Sequence, residues 1–355
     1  MRPETVAISF ICTFLVLIPL PCHWRVRNIP IVSLIFWLAA VNLPRGINGI
    51  IWAGNTRDYA PVWCDIITKL VVGANWAFCS SAVPVSRHLA RVSSPYHRAE
   101  NASERRRRMI FEIFMCMVLP LIGMALHYIV QTRRFDILED FGCIPTAYLS
   151  IASILIINIP PVIFALITLV YAAVALRWFI QRHSEFEAAL QSNNSGLTTS
   201  RYLRLVILSI VLMLAATAMS VFVLVDNAVG AGIQPWNSWE YVHADWDNID
   251  QVARNLAPQS FWDRYLIIWY LVPIDSVIVF AFFGCVGEIK TEYLGYFNFV
   301  KTKVFRIKHE SRPTLPVSIR DNTNPVDSTQ VVVELRAETA SQVLHDLKPS
   351  RSSEV

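Results

Sequence analysis

The sequence carries little charge for its length. Of its 355 residues, 16% are Asp, Glu, Lys or Arg and 54% are hydrophobic, whereas soluble domains contain about 25% charged residues. A water-soluble fold of this size would need a more polar surface than this composition supplies. A lipid bilayer is therefore expected to be the solvent of most of the chain.

Signatures of enzymes and metal sites are also missing. The 7 cysteines include no C-x-x-C pair, and no histidine follows them at zinc-ligand spacing. There is neither an H-E-x-x-H nor a G-x-S-x-G motif, and the apolar runs contain no paired carboxylates. The last apolar run lacks the lysine that a retinal Schiff base would need. We predict no enzyme activity, no cofactor, no metal and no nucleic-acid partner.

Long apolar runs recur along the first four-fifths of the chain. A helix needs about 20 mostly apolar residues to cross a bilayer, and these runs predict an all-α, polytopic membrane protein with a seven-helix bundle. The predicted helices are residues 6–20, 31–53, 64–85, 109–130, 150–176, 205–228 and 264–286. Residues 1–308 would hold the bundle. Residues 309–355, rich in Ser, Thr, Pro and charge, predict a disordered cytoplasmic tail.

Lys and Arg are concentrated in alternate connections between these runs. Arg87, Arg182 and the arginines at 105–108 lie in one set, while the other set is mainly acidic. The positive-inside rule then places the N-terminus outside and the C-terminus inside, which requires an odd number of spans. The sequons at Asn101 and Asn193 fall on the cytoplasmic side and should carry no glycan.

Several stretches resemble the fungal a-factor-type mating pheromone receptors, which are class D G-protein-coupled receptors. In family order they are residues 20–28 (LPCHWRVRN), 46–55 (GINGIIWAGN), 61–66 (PVWCDI), 131–143 (QTRRFDILEDFGC), 201–205 (RYLRL), 237–240 (NSWE) and 282–284 (FFG). Each stretch alone is a weak signal, but the ordered set is specific. The resemblance implies a multi-pass plasma membrane receptor that binds a prenylated peptide pheromone and activates a heterotrimeric G protein for mating signalling.

Two cysteines lie at the extracellular edge of this topology. Cys64 is at the top of the third helix, and Cys143 is in the second outer loop. Disulfides form in that compartment, so we predict a Cys64–Cys143 bridge that holds the loop over the mouth of a pocket. Two free thiols are the alternative.

Candidate ligand-binding residues come from the outer half of the bundle. Asn48, Lys69 and Asn75 are polar groups at membrane depth, where they face either a ligand or a neighbouring helix. The third outer loop and the last helix add aromatic candidates. These are Trp236, Trp239, Tyr241, Trp262 and Trp269. They form either a surface for a lipid chain or an interfacial aromatic belt.

Arginines on the inner side are candidates for coupling to the G protein. Arg87 ends the third helix, and Arg182, Arg201 and Arg204 lie in the third inner loop. Attraction to anionic membrane lipids is the alternative. Residues 86–90 lack the two adjacent basic residues that are usual in the family. The oligomeric state, homo- or hetero-oligomer, stays open.

A transporter or channel is the competing function. Charged residues inside the membrane also mark ion and substrate paths. Transporters usually contain repeated halves, and this sequence shows no internal repeat. The receptor interpretation is therefore preferred.

Overall fold

The computed structural model describes residues 2–94, 100–181 and 232–283, with isolated positions between 206 and 225. In this part of the chain, six helical segments are long and apolar enough to cross a bilayer. We call them spans 1 to 5 and the C-terminal span: Pro3–Arg25, Ile29–Ile51, Pro61–Ser93, Ala102–Val130, Ile151–Gln181 and Gln259–Phe283. The predicted polytopic helical architecture is confirmed. Only isolated positions of the predicted helix at 205–228 are described, and the boundary at 308 and the tail at 309–355 lie outside the described residues.

Most spans contain more than one helical element. Span 1 comprises α1 (Pro3–Leu17) and α2 (Leu20–Arg25), span 2 is α3 (Ile29–Ile51), and span 3 comprises α4 (Pro61–Ser80) and α5 (Ala82–Ser93). Span 4 comprises α6 (Ala102–Ile113), a π-helix (Phe114–Val118), α7 (Leu119–His127) and a 3-10 turn (Tyr128–Val130). Span 5 comprises α8 (Ile151–Ser153), a π-helix (Ile154–Asn158) and α9 (Ile159–Gln181). A short α10 (Trp239–Val242) precedes α11 (Gln259–Phe283), the C-terminal span.

The predicted start of span 4 was wrong. The helix begins at Ala102 rather than Met109, so the arginines at 105–108 are helical and not in a loop. Asn101 caps the helix in a reciprocal capping box with Glu104, which satisfies the free backbone amides of the first turn. Hydropathy misses residues 102–108 because the predicted span stops where charged residues begin. The helix itself continues past that point.

Two other helix ends on the side predicted to be cytoplasmic are also more helical than predicted. Span 3 continues to Ser93 instead of ending at Val85, so Arg87 lies within a helix. Residues 20–25, expected in a loop, form α2. Pro21 occupies its first turn, where the missing amide proton costs no hydrogen bond. The remaining ends agree with the prediction to within about five residues.

Span 2 supplies donors to a carbonyl that a proline leaves free in span 4. Pro120 has no amide hydrogen, so the carbonyl oxygen of Cys116 loses its usual helical donor. Ser33 Oγ and Trp37 Nε1 donate to that oxygen at 3.0 and 3.1 Å. These bonds hold span 2 against span 4.

The C-terminal span is joined to span 2 in a similar way. Pro273 frees the carbonyl oxygen of Trp269, which accepts a hydrogen bond of 2.8 Å from the Arg45 guanidinium. Asn42 Nδ2 donates to Ser276 Oγ at 2.8 Å. Polar residues in span 2 therefore join neighbouring helices inside the membrane.

A small sheet covers the side of the bundle predicted to be extracellular. It consists of β1 (Asp136–Leu138), β2 (Gly142–Ile144) and β3 (Gln251–Val252), in the order β2-β1-β3. β1 pairs antiparallel with β2 and parallel with β3. The turn of the hairpin is held to the end of span 2, because the Asp140 amide donates to the Trp52 carbonyl at 2.9 Å. We call this sheet the outer lid.

Candidate functional site

Cys64 and Cys143 join span 3 to the outer lid. They form a disulfide with Cα atoms 5.4 Å apart, within the usual range of about 4.4–6.8 Å. Both side chains are buried, Cys64 in the first turn of span 3 and Cys143 in β2. The pairing expected from the sequence is confirmed, and it fixes the lid to the bundle.

Asn48 lies directly beneath the lid. Its Oδ1 accepts a hydrogen bond of 2.8 Å from Trp63 Nε1, and its side chain is buried. Gly142 has φ +78°, and a Cβ at that position would lie 2.7 Å from side-chain atoms of both Asn48 and Trp52. Only glycine allows the hairpin to approach span 2 this closely. Asn48 therefore contributes to docking of the lid.

Asn75 is placed away from the lid and bonds to span 5. Its Nδ2 donates to the carbonyl oxygen of Ile157 at 3.3 Å. Pro161 cannot donate to that oxygen, so the asparagine replaces a missing helical bond. This geometry matches the interhelical alternative, and it separates Asn75 from the two other polar candidates.

Lys69 is the centre of a polar cluster between spans 3 and 4. It lies about two turns below the start of span 3. Its ammonium group donates to Gln131 Oε1, lies 3.1 Å from His127 Nδ1, and faces the ring of Tyr128 at 5.7 Å from the centroid. Because an ammonium group only donates, His127 accepts at Nδ1 and carries its proton on Nε2.

The Lys69 ammonium group forms no direct ion pair among the described residues and interacts with Asp65 only at longer range. Asp65, one turn above, pairs instead with Arg134, whose Nε donates to its Oδ1 at 3.3 Å. This hydrogen bond raises the pKa of Arg134. An ammonium group inside a bundle with no carboxylate in direct contact is costly and usually functional. The cluster can therefore accept an anion or a strongly polar carbonyl group.

An exposed aromatic face adjoins this cluster. Tyr128, whose ring Lys69 faces, lies 5.5 Å from Trp239 and 5.2 Å from Trp246 between ring centroids. His243 stacks on Trp239 at 4.0 Å, and its Nε2 lies 2.9 Å from the Tyr128 carbonyl oxygen. Tyr128 and Trp239 are each 45% exposed. We call Tyr128, Trp239, His243 and Trp246 the aromatic face.

Trp262 and Trp269 have a different environment. Both are buried, and both pack around Phe141 in the hairpin turn, with centroids 6.2 and 6.3 Å from its ring. They support the lid from the C-terminal span. Trp236 and Tyr241 are exposed on the outer surface, Tyr241 at 6.1 Å from Tyr148. The eight predicted ligand residues therefore do not form a single site. Among them, Lys69 and Trp239 are linked, because both contact Tyr128.

Charged side chains tie the strands of the lid together. Arg133 pairs with Asp136 of β1 and with Asp250, next to β3. Burial raises the pKa of Asp136 to about 6, and Arg133 opposes that shift. Two carboxylates therefore share one guanidinium, and protonation of Asp136 in mildly acidic medium leaves Arg133 to Asp250.

Tyr128, Gln131 and His243 were missed as site residues. His127 and Gln131 are four residues apart at the end of an apolar run, a spacing that brings side chains to one helix face. The spacing of His127 and Gln131, together with Lys69 in the preceding span, was the sequence signal that could have predicted this polar cluster. No signal in the sequence links His243 to Tyr128, because their contact depends on how the third outer loop folds back.

The residues predicted to couple to a G protein are only partly described. Arg87 is half-buried and stacks on Phe111 of span 4, with 4.5 Å from its guanidinium carbon to the ring centroid. Arg182, Arg201 and Arg204 lie outside the described residues, so their role stays a prediction.

Comparison with known proteins gives a consistent result. The sequence matches the profile of the STE3 pheromone A receptor family over residues 4–303. It is 40% identical over 300 residues to the pheromone B beta 1 receptor of Schizophyllum commune. The matched region covers 84% of this chain and 56% of that receptor. It is 30% identical over 292 residues to pheromone receptor 1 of Mycosarcoma maydis, covering 82% of each chain. Identity to the pheromone a factor receptor of Saccharomyces cerevisiae is 23% over 305 residues, 84% of this chain and 63% of that one. The chain spans about half the length of the Schizophyllum receptors it matches.

Proposed function

Because the chain belongs to the STE3 pheromone A receptor family, we propose that it is a G-protein-coupled receptor for a prenylated peptide mating pheromone. The family consists of receptors and not of enzymes. In this proposal the pheromone binds from the extracellular side and a heterotrimeric G protein binds at the cytoplasmic ends of the spans.

The observation that supports a ligand site is the Lys69 ammonium group beside the aromatic face, which forms no direct ion pair among the described residues. Prenylation modifies a cysteine at the C-terminal end of a peptide, so the lipid chain and the terminal carbonyl group are close together in the ligand. The aromatic face offers apolar area to the chain, while Lys69 offers a charge-assisted hydrogen bond to the carbonyl. The two features therefore match two adjacent parts of one ligand.

Activation is proposed to proceed by a shift in population. A pheromone that binds the active arrangement tenfold better than the resting one moves the equilibrium by about 1.4 kcal/mol. Span 3 carries both Lys69 near its outer end and Arg87 near its inner end. A small displacement of this span would connect ligand binding to the surface where the G protein binds.

Replacing Lys69 with methionine is expected to weaken pheromone binding about fivefold. Methionine fills similar space without the donor, and a hydrogen bond from a charged group contributes about 1 kcal/mol or more. Binding of the most potent prenylated peptide from a panel to purified receptor measures the effect. Lys69→Arg is the control and should retain most of the affinity. Unchanged affinity in Lys69→Met would remove Lys69 from the site.

Replacing Arg87 with alanine is expected to reduce pheromone-stimulated nucleotide exchange about fivefold while leaving pheromone affinity unchanged. Arg87 lies on the opposite side of the bilayer from the proposed ligand site, and a lost charged contact contributes about 1 kcal/mol. Exchange is measured in vesicles of phosphatidylcholine and phosphatidylserine with equal amounts of inserted receptor, since loss of a positive residue can lower insertion. Exchange at the wild-type rate would leave Arg87 with only an anchoring or lipid-binding role.

A further inference from the structure

An arginine-lined cleft opens between the cytoplasmic ends of spans 3 and 4. It is shallow and partly open to solvent. Arg87 and Arg91 line it from span 3, and Arg108 and Phe111 line it from span 4. The cleft lies on the side of the bundle away from the outer lid, and none of the proposed ligand residues contributes to it.

Helix geometry places the cleft at the depth of lipid headgroups. A helix rises about 1.5 Å per residue, so about 20 residues cross the hydrocarbon core of roughly 30 Å. Counting this distance inward from Cys64 in span 3 ends within about one turn of Arg87. The same count from Val130 in span 4 ends within about one turn of Arg108. Both side chains therefore reach the level of the inner phosphate groups.

Arg91 and Arg108 already hold one anion between them. Arg91 NH1 lies 2.7 Å from Glu100 Oε1, and Arg108 NH1 lies 2.8 Å from Glu100 Oε2. Two guanidinium groups from different spans thus take the two oxygens of a single carboxylate. This arrangement also fits two oxygens of a phosphate group, which guanidinium groups bind in the same planar manner.

Arg87 provides a further donor in the same cleft. Its guanidinium stacks on Phe111, and among the described residues no carboxylate lies within ion-pair distance of it. Stacking uses the face of the guanidinium and leaves its N–H edge available. Glu112 is shared with Arg108 at 3.5 Å, so the arginines of the cleft outnumber its carboxylates.

Three other arginines of span 4 do not line the cleft. Arg105, Arg106 and Arg107 lie in the first turns of the helix and are exposed. The helix macrodipole disfavours cations at an N-terminus and favours anions there. An anion in the cleft would be stabilised by the dipole and by the arginines that line the cleft.

We propose that this cleft binds the multiply phosphorylated headgroup of an inositol lipid from the cytoplasmic leaflet. One phosphate displaces Glu100 from Arg91 and Arg108, and another approaches Arg87. A phosphate monoester carries about −1.5 to −2 charges, against one for a carboxylate, so it competes well with Glu100. The proposal rests on the proposed function for the placement of this cleft on the cytoplasmic side of the membrane. It does not depend on pheromone binding or on coupling to a G protein.

Native mass spectrometry of the full-length receptor in detergent, without pheromone or G protein, tests the site. Receptor is titrated with dioctanoyl phosphatidylinositol 4,5-bisphosphate, with dioctanoyl phosphatidylserine, and with soluble inositol 1,4,5-trisphosphate. We expect one bisphosphate lipid to bind at least tenfold more tightly than phosphatidylserine. The double variant Arg91→Gln with Arg108→Gln should lose at least tenfold in that affinity.

Two matched variants separate a built site from general attraction. Arg105→Gln with Arg106→Gln removes the same charge from the exposed side of span 4 and should change the affinity less than threefold. Glu100→Gln should raise it at least threefold, because the competing carboxylate is gone, and this variant keeps the test valid if the cleft variant misfolds. Equal losses in the two arginine pairs, or no gain in Glu100→Gln, would overturn the proposal.

The source of the phosphate is tested in the same experiment. If inositol trisphosphate binds as tightly as the lipid, the site takes a soluble polyanion and the lipid assignment is wrong. A synthetic phosphopeptide from residues 309–355 that displaces the lipid tenfold more effectively than trisphosphate would assign the cleft to the receptor's own tail instead.

Discussion

Removing the Cys64–Cys143 disulfide is expected to destabilise the receptor by about 2–5 kcal/mol and to abolish high-affinity pheromone binding. The bridge closes a loop with a sequence separation of 79 residues, and both sulfur atoms are buried beneath the lid. Loss of the bridge frees β2 from span 3, so the lid no longer stays over Asn48 and Lys69. The midpoint of thermal unfolding in detergent and the pheromone affinity measure the two effects.

The variants Cys64→Ser, Cys143→Ser and the double variant provide an internal control. If the residues act only through one bridge, each single variant loses as much stability as the double variant. Cys22 is half-buried in α2, on the side predicted to be cytoplasmic, and Cys22→Ser should leave the lid and the pheromone affinity unchanged. Additive losses for the two single variants, or alkylation of both thiols in natively purified receptor, would rule out the bridge.

A pheromone without its prenyl group is expected to activate the receptor at least tenfold less potently. Burial of each methylene contributes about 0.8 kcal/mol, so contact of only two with the aromatic face accounts for about 1.4 kcal/mol or more. Tyr128 and Trp239 offer that contact because they are exposed beside Lys69. The half-maximal concentration for nucleotide exchange with the lipidated and unlipidated peptides gives the ratio.

Replacing Trp239 with alanine tests whether the aromatic face receives the lipid. The variant should reduce the potency of the lipidated peptide and have little effect on the unlipidated peptide, since the two changes remove one shared contact. An equal effect on both peptides would place the lipid elsewhere. Equal potency of the two peptides on the wild-type receptor would reject a role for the lipid in binding.

The apolar runs were sufficient to predict most spans, because length and hydropathy record the bilayer directly. Helix ends at the side predicted to be cytoplasmic were less predictable. Asn101 and Glu104 already contain the capping signal for span 4, and it was overlooked because four arginines follow it. A capping box depends on local backbone hydrogen bonds and operates whether or not the helix has entered hydrocarbon.

The polar residues show why a site is harder to predict than a fold. Asn48, Lys69 and Asn75 look alike in the sequence, and their roles diverge through partners that are distant in the chain. Asn75 bonds to a carbonyl that Pro161 leaves free, and Asn48 bonds to Trp63, while Lys69 bonds to Gln131 and forms no direct ion pair among the described residues. The proline that frees a carbonyl four residues earlier is visible in the sequence, but the helix that faces it is not.

Pheromone-stimulated nucleotide exchange in a reconstituted system tests the central proposal most directly. Purified receptor and heterotrimeric G protein are combined in vesicles, a panel of prenylated peptides is added outside, and binding of a non-hydrolysable GTP analogue is followed over time. The receptor account predicts that at least one peptide raises the exchange rate saturably above its basal value, and that Cys64→Ser with Cys143→Ser abolishes the rise. Exchange that no peptide stimulates, together with flux of ions or peptide through vesicles containing the protein alone, would contradict it.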